Sequence, residues 1–109
     1  MTRFAAVLRT NMTSDRCPEN FLKSFSEYLS KRFDICKENV ILELHTNVTL
    51  LRGGSFDKAI NIDIHHNSEK VNKSTKKCVA EDIADFIYQE LDISKDRVLV
   101  LFFDTRRCT

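Results

Sequence analysis

The chain has 109 residues and a mass of 12.7 kDa, 42% apolar and 30% charged, which is the size and balance of one compact domain over residues 1–109. Two Gly and one Pro fall far below ordinary usage of roughly 7% and 5%, which excludes collagen-like and low-complexity classes and favours long regular elements. Seventeen basic against sixteen acidic side chains leave a net charge of +1, so no global field draws nucleic acid or an acidic membrane, and the apolar runs are far shorter than the ~20 residues that membrane insertion needs.

The first candidate strand is the apolar run at 4–8, FAAVL. It is too short, and lacks the small-residue cleavage site, to read as a secretory signal, so the expectation is a cytoplasmic protein with any export by an unconventional route. Past Pro18, the residues Phe21, Phe25, Tyr28, Leu29 and Phe33 fall at i, i+4, i+7, i+8 and i+12, one stripe of an amphipathic helix of about four turns. A polar turn and a β-branched run at 40–44 predict the second strand. Arg52-Gly53-Gly54-Ser55 brings both glycines together and predicts a tight turn; it lacks the spacing of a phosphate loop. At 59–64, Ile60, Ile62 and Ile64 alternate with Asn61 and Asp63, a strand with one buried and one polar face. A second helix follows, with Ser74 or Thr75 as N-cap and Val79, Ile83, Phe86, Ile87 and Leu91 as its apolar stripe. The last strand is VLVLFF at 98–103, whose unbroken apolar run predicts burial of both its faces.

The chain repeats itself at an offset of 58 residues. DICKENVILEL (34–44) lies over DISKDRVLVLF (92–102), and the two helical stripes superpose at the same offset. The halves, about 1–55 and 56–109, each read β-α-β. Two such units make an α+β domain: a four-stranded mixed sheet with two helices on one face. The other face then needs a cover, and association through the sheet supplies one; the alternative is a monomeric ferredoxin-like domain with a partly exposed sheet.

Few residues point to chemistry by their spacing. Cys17, Cys36, Cys78 and Cys108 are 19, 42 and 30 residues apart, which matches neither a CxxC pair nor a zinc knuckle and reads as reduced thiols. Cys108, beside Arg106 and Arg107, is at most a somewhat acidified thiol. The sequons at Asn11, Asn47 and Asn72 read as accidental. His65 and His66 are adjacent on a strand and point to opposite faces; with His45 they read as polar rim residues. Lys70, Lys73, Lys76 and Lys77 gather at the start of the second helix, a solvated loop or a weak anion-docking patch. No metal set, cofactor motif or nucleophile constellation emerges.

Several residues in order carry a resemblance. Thr10-Asn11 closing the first strand, Pro18 with Phe21-Leu22 opening the first helix, Gly53-Gly54-Ser55, and Leu91 with Ile93-Ser94 and Asp96-Arg97-Val98 together resemble the family of macrophage migration inhibitory factor and D-dopachrome tautomerase, in the tautomerase superfamily. The resemblance covers nearly the whole chain and implies a homotrimer whose three sheets form an inner barrel. It also implies a catalytic N-terminal proline acting as general base in keto-enol conversion. That position is Phe4 here, whose nitrogen is an ordinary amide. After removal of Met1 the free amine belongs to Thr2, displaced by two residues or up to ~7 Å of extended chain. Ile35 stands where the resemblance places the lysine that binds the substrate carboxylate, and Leu99 and Leu101 stand at two polar positions of the pocket wall. The family's thiol-disulfide cysteines fall near Ala59 and Ile62, and the chain ends soon after Asp104, short of the family's last strand.

The expectation is therefore a non-catalytic relative with no catalytic, cofactor-binding or metal residues. Its degenerate pocket positions are Phe4, Ile35, Leu99 and Leu101, read as filled core in preference to an apolar ligand site. It would act as a cytokine-like ligand or immune modulator on a cell-surface receptor, as a homotrimer. The alternatives are a phenylpyruvate- or dopachrome-type tautomerase with a relocated base, and a regulatory subunit forming hetero-oligomers with active paralogues.

Overall fold

The computed structural model describes residues 2–107 and holds six main elements: β1 (Phe4–Thr10), α1 (Phe21–Phe33), β2 (Val40–His45), β3 (Ile60–His66), α2 (Lys76–Leu91) and β4 (Val98–Asp104). The sheet order is β2-β1-β3-β4. Strand β1 runs parallel to β2, β3 runs parallel to β4, and the two central strands are antiparallel. This is the duplicated β-α-β plan expected from the repeat. The strands run one or two residues past the apolar runs that mark them, because pairings such as Thr10↔Ile60 and Phe4↔His66 satisfy the backbone of residues that an apolar pattern does not mark.

Both helices cover one face. The even-numbered side chains of β1 and β3, Phe4, Leu8, Ile60, Ile62 and Ile64, share a buried cluster with Phe21, Phe25, Leu29 and Phe33 of α1 and Val79, Ile83, Ile87 and Leu91 of α2. The halves are related about the central pair Val7↔Asp63. Tyr28 and Phe86, equivalent positions of the repeat, stack on each other with ring centroids 4.6 Å apart, and Arg32 pairs with Asp82 at 3.1 Å one turn further on. Each helix ends on an aspartate in the left-handed region, Asp34 at φ 54° and Asp92 at φ 56°, which a short polar side chain tolerates. The chain then turns inward to bury Ile35 and Ile93 before a 3-10 turn leads into β2 or β4.

Within the single chain, residues 98–103 are covered on one parity only: Val98 is buried and Val100 and Phe102 pack on the core, while Leu99, Leu101 and Phe103 are 37%, 43% and 40% exposed, on the face for which association is expected to supply the cover. They point away from the helices, as does Ile41 of β2, exposed at 60%.

Candidate functional site

The head of β1 is tied to the end of β3. The Arg3 backbone N–H donates to Asn67 Oδ1 at 2.7 Å, and the Asn67 N–H donates back to the Arg3 carbonyl at 3.4 Å. The next nitrogen, that of Phe4, lies inside the Arg3–Phe4 amide, where its lone pair is delocalised and takes no proton. The Phe4 side chain is fully buried, its ring centroid 4.5 Å from that of Phe33 and 5.8 Å from that of His66. Ile35 is buried in the same cluster. Two of the four degenerate pocket positions are thus filled core.

The other two are not. Leu99 and Leu101 lie on the opposite face of the sheet, partly exposed, so the expected pocket of Phe4, Ile35, Leu99 and Leu101 does not form within one chain. The cause is strand parity, since odd positions of β4 face away from the side where Phe4 and Ile35 are packed. On that outer face, a cavity of ≈ 520 Å³ opens beside the head of β1, lined by Arg3, Ala5, Ile41, His65, Asn67 and Thr105. The His65 ring there stacks on that of Phe103 at 4.8 Å. Across the same face Arg9 and Asp63 form a 2.9 Å ion pair, and His45 bonds Glu43.

The histidines divide as their parity requires, but His66 is not a rim residue. It continues the inward alternation of Ile60, Ile62 and Ile64 and is only 2% exposed. Its Nδ1 accepts the Ser68 N–H at 3.2 Å, so the neutral ring carries its proton on Nε2. Burial pushes the imidazole below its ordinary pKa; nearby Asp104 raises it, while Arg106 and Lys76 lower it further. The period-2 pattern, carried two residues further, contained this signal.

The glycine pair forms the tight turn expected of it. Arg52 and Ser55 exchange both backbone hydrogen bonds at 3.0 Å, with Gly53 at φ 58° and Gly54 at φ 76°. A contact the sequence did not suggest anchors this turn. The Arg97 guanidinium donates to the carbonyls of Arg52, Ser55, Asp57 and Lys58 at 2.9–3.3 Å, fixing the 52–58 segment to the entrance of β4.

At the start of α2, Thr75 is the N-cap residue, but its hydroxyl is engaged elsewhere, with Lys70 O and Asn72 N. Asn72 does the capping instead, its Oδ1 accepting from the N–H groups of Ser74 and Thr75 at 2.9 and 3.1 Å. Of the lysines, Lys70 Nζ reaches the Phe33 carbonyl at 3.4 Å, while Lys73 and Lys76 line a cleft beside His66. Cys36 and Cys78 are exposed free thiols; Cys17 is half-buried, and desolvation, with Asp15 nearby, pushes its thiol pKa up. Cys108 lies outside the described residues. Among the described residues no group of three His, Cys, Asp or Glu side chains is placed to hold a metal ion, and no helix is long and apolar enough to cross a membrane.

The comparisons with known proteins agree with one another on the fold. The family model described as macrophage migration inhibitory factor matches residues 4–109. The structure resembles that of the macrophage migration inhibitory factor from Trichinella spiralis, with a TM-score of 0.85 and 22% identity over 92% of this chain and 88% of that one. It also resembles the corresponding factor from Oncomelania hupensis, with a TM-score of 0.83 and 17% identity over 92% and 85% of the two chains. A homologue from Prochlorococcus marinus follows, with a TM-score of 0.78 and 19% identity over 92% and 87%. No curated protein matches the chain by sequence.

Proposed function

The chain belongs to the macrophage migration inhibitory factor family, and on that premise we propose that it is a non-catalytic member, acting as a cytokine-like ligand or immune modulator through protein contacts. The observation that carries this reading is the state of position 4. Proton transfer in the family, as the resemblance implies, uses the free secondary amine of a proline at the head of β1. Here that place is an amide nitrogen on a fully buried phenylalanine. Ile35, at the position of the substrate-binding lysine, is buried in the same core cluster and offers no charge to a carboxylate.

The outer sheet face supports the second half of the proposal. Ile41, Leu99, Leu101 and Phe103 place four large apolar side chains on one surface, more than a lone domain of this size usually leaves to water. A homotrimer covers that surface and presents three copies of each outer contact site, which favours multivalent engagement of a cell-surface receptor. The test of lost chemistry is enol-to-keto conversion of phenylpyruvate. The proposal expects a rate indistinguishable from buffer, and turnover comparable to that of proline-bearing relatives overturns it.

A further inference from the structure

We propose that the cleft between the N-terminal end of α2 and the C-terminal end of β4 binds the dianionic phosphate group of a small phosphate monoester. The cleft encloses ≈ 560 Å³, and its polar lining is His66, Lys73, Lys76, Asp104 and Arg106. It lies on the helix side of the sheet, so it is distinct from the outer face assigned above to assembly. The inference stands independently of whether the protein is an enzyme.

His66 is the built part of the site. Its Nδ1 is satisfied by Ser68, and its Nε2–H has no hydrogen-bond partner among the described residues. Among the described residues no enclosed side-chain nitrogen or oxygen lacks a partner, so this N–H is not sealed off, and the ring that carries it lines the cleft. A donor held by a ring 98% buried is already oriented before any ligand arrives, and orienting it costs no side-chain entropy on binding.

The charges fit a dianion. Arg106 grips Asp104 with two bonds, Nε to Oδ1 at 3.0 Å and Nη2 to Oδ2 at 2.8 Å, so this carboxylate and guanidinium compensate each other within the cleft. Lys73 and Lys76 have no ion-pair partner among the described residues, which leaves two positive charges facing the space. The 16-residue α2 adds the positive end of its dipole, although the Ser74 and Thr75 amides are taken by Asn72 and are not the donors. Val71 and Phe102 supply apolar walls, so the room beyond the anion suits an organic body rather than a bare ion.

The experiment titrates the intact protein with phenyl phosphate and, separately, inorganic phosphate at constant ionic strength, following the His66 imidazole resonances by NMR. A saturating shift with phenyl phosphate, stronger than with inorganic phosphate and weakened about tenfold by Lys73→Glu or by Lys76→Glu, is the expected result. Both lysines are exposed, so these variants leave the core intact. A response that grows without saturating, that chloride reproduces, or that survives both substitutions overturns the proposal.

Discussion

Replacement of Phe4 by alanine tests whether the head of β1 is closed core or an open pocket. The side chain is fully buried, with rings of Phe33 and His66 at 4.5 and 5.8 Å, and the surrounding strands are held by pairings on both sides. Truncation of a phenylalanine in such a setting costs about 3–5 kcal/mol, the lost transfer energy plus the cavity left behind. With a urea m-value of about 1.5–2 kcal/mol/M for a domain of this size, the unfolding midpoint falls by roughly 2 M. Circular dichroism against urea, at one fixed protein concentration, reads the shift. Phe4→Leu gives a folded reference if the alanine variant is too unstable to measure, with an expected cost of about 1–1.5 kcal/mol. A cost below ~1 kcal/mol for Phe4→Ala contradicts the filled-core assignment, since only a side chain lying in an open site is removed so cheaply.

Other perturbations follow from the same structure. Thr10→Val removes the buried hydroxyl that donates to Ala59 O at 2.8 Å and accepts from Met12 N–H at 3.2 Å; a loss of about 1–3 kcal/mol in equilibrium unfolding is expected. Gly53→Ala places a Cβ at φ 58°, where space is free but the left-handed backbone is not, so thermal unfolding should reveal a cost of about 1–2 kcal/mol. His66 carries a pKa lowered in the folded state, so below its ordinary value of 6.5 the unfolded chain binds the extra proton. Stability should therefore be fully present above that pH and fall as pH drops from 6.5 toward the folded pKa, and the slope in that window should flatten in His66→Gln. Leu101→Asp, on the outer sheet face, should lower the native mass while leaving the helical signal of the chain intact.

Much of this fold was legible from side-chain periodicity. The five-residue stripes of α1 and α2 and the Ile60, Ile62, Ile64 alternation marked the core directly, because burial selects apolar residues at the period of the element. The repeat made Tyr28 and Phe86 equivalent positions, but their stacking on each other is a tertiary contact that equivalence does not imply. Some information was carried by pairing rather than by hydrophobicity. Thr10, His45 and His66 read as strand ends although they are polar, whereas Asp104 joins the ladder only because it pairs with His66. The run at 98–103, apolar on both parities, marks a strand whose second face a single chain leaves open, the face that association is expected to cover. The four pocket positions were read as one site by resemblance; within one chain strand parity puts Leu99 and Leu101 on the sheet face opposite buried Phe4. Arg97 stood out only as part of the Asp96-Arg97-Val98 resemblance and its contacts were not legible, since a guanidinium that captures backbone carbonyls depends on the path of a distant loop.

The most direct test of the account is the native mass of the full chain by sedimentation equilibrium at low micromolar concentration, because a protein that works through its contacts must first cover its outer sheet face. About three times 12.7 kDa, or roughly 38 kDa, is the predicted result, and it makes Ile41, Leu99, Leu101 and Phe103 the interior of an assembly. A mass that stays near 12.7 kDa as concentration rises contradicts the assembly and leaves that face without its proposed role.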